Sequence, residues 1–174
     1  MGREKNNVIL KYNYSNIITS RDHAIAKKKI DELFISGNYP KLAPKFQTYL
    51  NLYEYDEFKI FVSTFLDSCK SYLNYPIKKC RLNFWCYMDY RSNFLKKDYN
   101  DQWHNHSNAG PFTISGIYYM INPRNVGTEF KNFVIEKPQK HTWYLFPSNL
   151  DHRPPKVLSF RKRYTLGADF YLEN

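Results

Sequence analysis

Sulfur is scarce in this chain. There are three cysteines, Cys69, Cys80 and Cys86, an odd number with no Cys-x-x-Cys pair. That excludes a disulfide scaffold and a zinc knuckle, and it implies free thiols in a reducing compartment. Long apolar runs are missing too: none approaches the length of a membrane span. No apolar stretch follows the opening Met-Gly-Arg-Glu-Lys, so no signal peptide is expected. Asn6 stands where a myristoylation pattern needs Ser or Thr. A soluble, cytoplasmic protein with no membrane association is the expectation. There is no internal repeat, no low-complexity segment and no block of five like charges. The densest charge run is Lys27-Lys28-Lys29.

What is present is a body large enough for a real core. The 174 residues point to one domain. Hydrophobic residues make up 43 % and aromatics 18 %, which excludes a disordered chain and favours a sheet-rich one. The formal charge is +10. Because it is dispersed rather than striped, it reads first as a solvated lysine-rich surface. Attraction to a polyanion such as nucleic acid is the second reading. Oligomeric state leaves no mark on the sequence.

Periodicity divides the chain near residue 78. A short strand is expected over 7–11. A helix is expected over 21–35, capped by Ser20, with Ile30, Leu33 and Phe34 on its apolar side. Gly37, Pro40 and Pro44 then interrupt it. Phe58, Phe61, Val62, Phe65, Leu66, Cys69 and Leu73 recur at three- and four-residue spacing and predict a second helix over 55–73. Beyond Pro76 the pattern becomes that of strands, at 81–90, 102–106, 113–121, 127–135, 142–147 and 162–172, with a polar loop over 91–101. Pro111, Pro123, Pro138, Pro147, Pro154 and Pro155 punctuate them. The fold class expected is mainly β (α+β), with a helical support over 1–78 packed on one sheet of a sandwich or jelly-roll over 79–174.

Histidines carry the chemistry. Trp103-His104-Asn105-His106 holds a His-x-His pair, and side chains two apart on a strand share one face. His152 follows in Phe146-Pro147-Ser148-Asn149-Leu150-Asp151-His152, after room for about three strands with turns. Three imidazoles with open positions suit a catalytic or redox metal, whereas structural zinc wants a fourth ligand and often sulfur, which this half of the chain lacks. Copper, nickel and zinc remain open by residue type. Arg163, farther on, can hold a carboxylate through two parallel hydrogen bonds. The combination suggests a non-haem iron site that binds a dicarboxylic cosubstrate. Trp85, Trp103 and Phe112 could line its pocket, though sandwich core is the plainer reading of Trp85. His23 has no assigned role, and His141 is expected to be exposed.

These motifs resemble those of the Fe(II)/2-oxoglutarate-dependent dioxygenases with a double-stranded β-helix (jelly-roll) fold, above all the small bacterial and phage type. Trp103-His104-Asn105-His106 resembles the proximal metal motif, and Phe146-Pro147-Ser148-Asn149-Leu150-Asp151-His152-Arg153 the distal one. Ser115-Gly116-Ile117-Tyr118-Tyr119-Met120 and Gly127-Thr128-Glu129-Phe130 resemble the strands between them, and Arg163-Tyr164-Thr165 the cosubstrate anchor. The likeness covers about residues 81–172. It implies His104, His106 and His152 as metal ligands, and Arg163, Tyr119 and Thr165 at the far carboxylate of 2-oxoglutarate. It further implies Fe(II) as cofactor, ascorbate as accessory reductant and hydroxylation of an unidentified prime substrate. Alternation sets Tyr118 on the face opposite Tyr119.

Two departures stand out. His106 occupies the position where the family has Asp or Glu, so Asp101 and Asp151 are alternative sources of a carboxylate. Lys140-His141 stands where the family has Gly before Trp143. Arg161 competes with Arg163 as the carboxylate anchor. A non-catalytic jelly-roll serving in binding or phage assembly (hence virion-associated) and a three-histidine enzyme without 2-oxoglutarate are the competing readings.

Overall fold

The computed structural model describes residues 9–38, 47–74, 79–89, 103–106, 113–155 and 160–172. The elements, in order, are strand β1 (Leu10–Asn13), helix α1 (Ser20–Ile35), helix α2 (Lys59–Leu73) and strands β2 (Cys80–Asp89), β3 (Thr113–Ile121), β4 (Val126–Phe130), β5 (Phe133–Glu136), β6 (Thr142–Pro147), β7 (His152–Arg153) and β8 (Arg163–Leu172). They build two antiparallel sheets, a larger one ordered β1-β6-β3-β8-β2 and a smaller one ordered β5-β4-β7. This is the mainly β jelly-roll expected, with both helices on one sheet.

Alternation along the large sheet sorts its side chains into two compartments. Phe84, Cys86 and Met88 of β2, Ile114, Tyr118 and Met120 of β3, Trp143 and Leu145 of β6 and Tyr164, Leu166, Ala168 and Phe170 of β8 face the helices. There they join Ala26, Ile30 and Leu33 of α1 and Phe61, Phe65 and Cys69 of α2 in one core. Removing a ring such as Phe61 or Phe65 from such a core costs about 3–5 kcal/mol. The indole N–H of Trp143 is satisfied by Thr64 Oγ1 at 3.1 Å, so this largest buried side chain leaves no orphaned donor. The opposite face carries Ile117, Tyr119, Tyr144 and Phe146, which meet Phe130 and Ile135 of the small sheet. Tyr118 and Tyr119 thus fall on opposite faces, as alternation requires.

Several local features differ from the sequence reading. The α1 cap is Thr19, not Ser20: its hydroxyl accepts from the Asp22 N–H while the Asp22 carboxylate accepts from the Thr19 N–H, closing a reciprocal box. Leu52–Glu54 and Asp56–Phe58 form 3-10 turns, so α2 starts at Lys59 rather than at residue 55. The segment read as one strand over 127–135 is a hairpin, broken between Phe130 and Phe133. His141 is half-buried and stacks on His23 with ring centroids 5.0 Å apart. It holds φ 56°, a left-handed conformation that glycine adopts without strain. His23 in turn bonds the Tyr118 hydroxyl at 2.8 Å. Among the described residues, no helix is long and apolar enough to cross a membrane. Pro40, Pro44, Pro76, the 91–101 loop, Asp101, Pro111 and Phe112 lie outside the described residues.

Candidate metal centre and pocket

His104 and His152 meet through their backbones before their rings do. The His104 N–H donates to the His152 carbonyl at 3.0 Å and the His152 N–H to the His104 carbonyl at 2.8 Å, an isolated antiparallel bridge. Two residues on, the His106 N–H donates to the Ser148 carbonyl at 2.8 Å. This short ladder gives His104 and His106 the strand-like spacing that aims both imidazoles at one side. Ring centroids lie 4.4 Å apart for His104–His152, 5.4 Å for His104–His106 and 5.1 Å for His106–His152. One nitrogen from each ring falls within 4.8 Å of the other two, close enough to share one ion.

Neighbouring groups orient these rings. His152 Nδ1 lies 2.8 Å from the Leu150 carbonyl, so it carries the proton and leaves Nε2 as the free donor. Burial holds the His152 pKa down at about 4, which keeps the ring neutral as a metal ligand requires. His106 Nδ1 lies 2.8 Å from Asp169 Oδ1, a buried carboxylate that also accepts from Ser115 Oγ at 2.7 Å. Asp151, one candidate for a carboxylate ligand, is turned toward Asn105 Nδ2 at 2.7 Å and paired with Lys131.

The triad opens onto a pocket of about 480 Å³, its mouth included, between the two sheets. Trp85, Tyr87, Ser115, Ile117, Thr128, Phe146, Arg163, Thr165 and Gly167 line it with the three histidines. Trp85 is therefore a pocket residue rather than plain sandwich core. Its ring packs against Gly167, where a Cβ would come within 2.4 Å of the indole. Trp103 stands at the surface instead, 38 % exposed, with the Arg153 guanidinium 4.5 Å from its ring centre.

Arg163 and Thr165 occupy the same pocket wall. Arg163 donates from Nη2 and Nε to Asp89 Oδ2, at 2.6 and 3.2 Å. Its Nη1 and the Thr165 hydroxyl are buried with no hydrogen-bond partner among the described residues. Orphaned donors of this kind are costly unless a ligand satisfies them, and a carboxylate is the acceptor that suits a guanidinium. Three converging imidazoles and a buried guanidinium in one recess are a donor set that fits a divalent metal with a dicarboxylate. Arg161 lies apart, exposed in a surface depression with Pro123, Arg124 and Phe160. The Tyr119 hydroxyl is engaged by Thr128: it accepts from the Thr128 N–H at 2.7 Å and donates to Thr128 Oγ1 at 2.9 Å. Burial pushes its pKa up to about 12.

Asp89 and Asp169 are the two functional candidates that sequence reasoning missed. Asp169 had a visible signal: Arg163, Thr165, Gly167, Asp169 and Tyr171 are the polar and small positions of an otherwise apolar strand, and they share one face.

No protein-family model and no curated protein sequence matches this chain. Solved structures do. The chain is similar to the viral collagen prolyl hydroxylase vCPH from Paramecium bursaria Chlorella virus-1, at 14 % identity and a TM-score of 0.57, over 99 % of this chain and 97 % of that one. A Pseudomonas putida prolyl-4-hydroxylase matches at 9 % identity and a TM-score of 0.60, over 95 % and 93 %. HygX from Streptomyces hygroscopicus, solved with nickel and 2-oxoglutarate bound, matches at 10 % identity and a TM-score of 0.59, over 98 % and 87 %. The fold is that of the Fe(II)/2-oxoglutarate-dependent oxygenases. Within this oxygenase fold the three-histidine group sits where the two sheets open.

Proposed function

We propose that this chain is a non-haem Fe(II)/2-oxoglutarate-dependent dioxygenase that hydroxylates a prime substrate. The observation that carries the reading is the placement of three converging imidazoles and a buried, incompletely satisfied guanidinium in one pocket. His104, His106 and His152 would hold the metal. Arg163 Nη1 and Thr165 Oγ1 would take the far carboxylate of 2-oxoglutarate, and Tyr119 would join them by turning its O–H away from Thr128. When bound, Fe(II) supplies the coupling of dioxygen reduction to decarboxylation of 2-oxoglutarate, giving succinate, carbon dioxide and a hydroxylated C–H bond.

The protein's own contribution is orientation and exclusion of water. The Leu150 carbonyl beside His152 Nδ1 and Asp169 beside His106 Nδ1 would leave Nε2 of each ring to hold the metal. Asp89 holds two of the Arg163 nitrogens and leaves the third without a partner among the described residues. Trp85, Ile117 and Phe146 wall the pocket with apolar surface, which strengthens each electrostatic contact inside it. One neighbour of the same fold is a prolyl hydroxylase in complex with a peptide fragment, so a peptidyl side chain stands beside a free amino acid, a nucleobase or a small metabolite as substrate class.

The experiment is turnover of 2-oxoglutarate to succinate by protein supplied with Fe(II) and ascorbate, with His152→Ala as control. Succinate from the parent and none above background from the variant supports the reading. Equal turnover by both, or none by the parent with peptide, amino acid and nucleobase panels, overturns it.

A further inference from the structure

The three imidazoles are neutral donors, so a dication among them would meet no negative charge from its own ligands. Yet the chain buries a carboxylate directly behind one of them. Asp169 is 4 % exposed, and its partners are His106 Nδ1 at 2.8 Å, Ser115 Oγ at 2.7 Å and the Tyr171 hydroxyl at 3.3 Å. Among the described residues no lysine or arginine pairs with it. The Tyr171 hydroxyl is itself held by Asn83 Nδ2 at 2.8 Å. A buried carboxylate without a cationic partner is costly, because hydroxyls satisfy its lone pairs but do not neutralise it. Strand register places it: Asp169 is the partner of Ser115 on β3 and of Asn83 on the edge strand β2.

We propose that Asp169 is the positioning residue that supplies the metal centre's negative charge one hydrogen bond away from the metal, through His106. This rests on the oxygenase reading of the site. Asp169 accepts the proton of His106 Nδ1, which leaves Nε2 as the donor and makes it a stronger one. The buried carboxylate and the metal dication then compensate each other across the imidazole. His106 thus stands in a ligand position while the compensating carboxylate stands behind it, contributed by a different strand.

The test has two arms. In metal-free parent protein, nitrogen NMR of the imidazoles reads the tautomer of His106 without any metal. A proton on Nδ1 is expected; a proton on Nε2 alone overturns the inference. In the second arm, Co(II) is titrated into the parent, Asp169→Asn, His106→Asp and the H106D/D169N double variant. D169N is expected to bind Co(II) 10- to 100-fold more weakly than the parent, and the double variant more tightly than D169N, because charge is returned to the ligand position. A merely structural role for Asp169 would make the double variant the weakest binder, and that order, or unchanged affinity in D169N, overturns the proposal. Should D169N fail to fold, the tautomer of the parent protein still decides. Parent protein that binds no Co(II) would instead overturn the proposed function.

Discussion

Arg163 and Asp89 lie at opposite ends of one register pair of β8 and β2, and their side chains meet in the interior: Nη2 approaches Oδ2 at 2.6 Å with both side chains 3 % exposed. Charges buried this deeply are tolerated only while paired. Asp89→Ala strands the guanidinium and is expected to cost about 3–5 kcal/mol of folding stability. Asp89→Asn, which keeps an acceptor, should cost less. Urea unfolding measures both, and equal stability of D89A and the parent would show that the pair is not what holds Arg163.

Cosubstrate affinity should depend on the guanidinium's shape as well as its charge. Arg163→Lys keeps a cation beside Asp89 but loses the planar fork. Loss of a charge-assisted hydrogen bond is worth about 1.5–3 kcal/mol, so 2-oxoglutarate should bind roughly 10- to 100-fold more weakly. Thr165→Val removes only the orphaned hydroxyl and should have the smaller effect. Anaerobic calorimetric titration checks both, and an unchanged affinity in R163K would remove Arg163 from the anchor role.

Gly167 keeps the pocket floor flat. A Cβ there meets Trp85 Cε2 at 2.4 Å and Cζ2 at 2.6 Å, a rigid ring rather than a flexible chain end. Gly167→Ala should therefore cost about 1–3 kcal/mol and displace the indole. The paired readouts are thermal unfolding and Trp fluorescence; no change in either would contradict the close packing of ring on backbone.

Part of the acid sensitivity should trace to His23, beside the share of the equally depressed His152. Burial first, and the neighbouring His141 second, hold its pKa at about 4 instead of the ordinary 6.5. Tyr118, Asp22, Lys140 and Phe61 complete its surroundings. Between these values the unfolded chain binds the proton and the folded one does not, so stability is full above about pH 6.5 and falls as pH drops toward 4. The loss attributable to this residue is at most about 3 kcal/mol. His23→Gln, whose amide can still reach the Tyr118 hydroxyl, should flatten that part of the stability curve. An identical slope in H23Q would refute the assignment.

Much of this architecture was legible because it repeats. The two-residue period of residues 113–121, 142–147 and 162–172 sorts helix-facing from pocket-facing side chains, and His104, His106, His152 and Arg163 stand out as chemistry on that pattern. What stayed hidden depends on register between distant strands. Nothing local shows that Asp89 ends opposite Arg163, or that Asp169 lies behind His106; those partners are 74 and 63 residues apart. Thr19 displaces Ser20 as the cap because Asp22 completes a box only with Thr19. Trp85 looked like core because burial alone does not distinguish a pocket floor from a packed interior. His141 hid its left-handed conformation because histidine tolerates it at some cost where glycine adopts it freely.

The most direct test is an anaerobic titration of the metal-free protein with Fe(II) and then 2-oxoglutarate, followed by visible absorption. One equivalent of each should bind and produce a metal-to-ligand charge-transfer band, absent in H152A and displaced to higher 2-oxoglutarate in R163K. Parent protein that binds Fe(II) at no defined stoichiometry would contradict a shared metal between His104, His106 and His152, and protein that binds it yet gives no band would contradict 2-oxoglutarate as its cosubstrate.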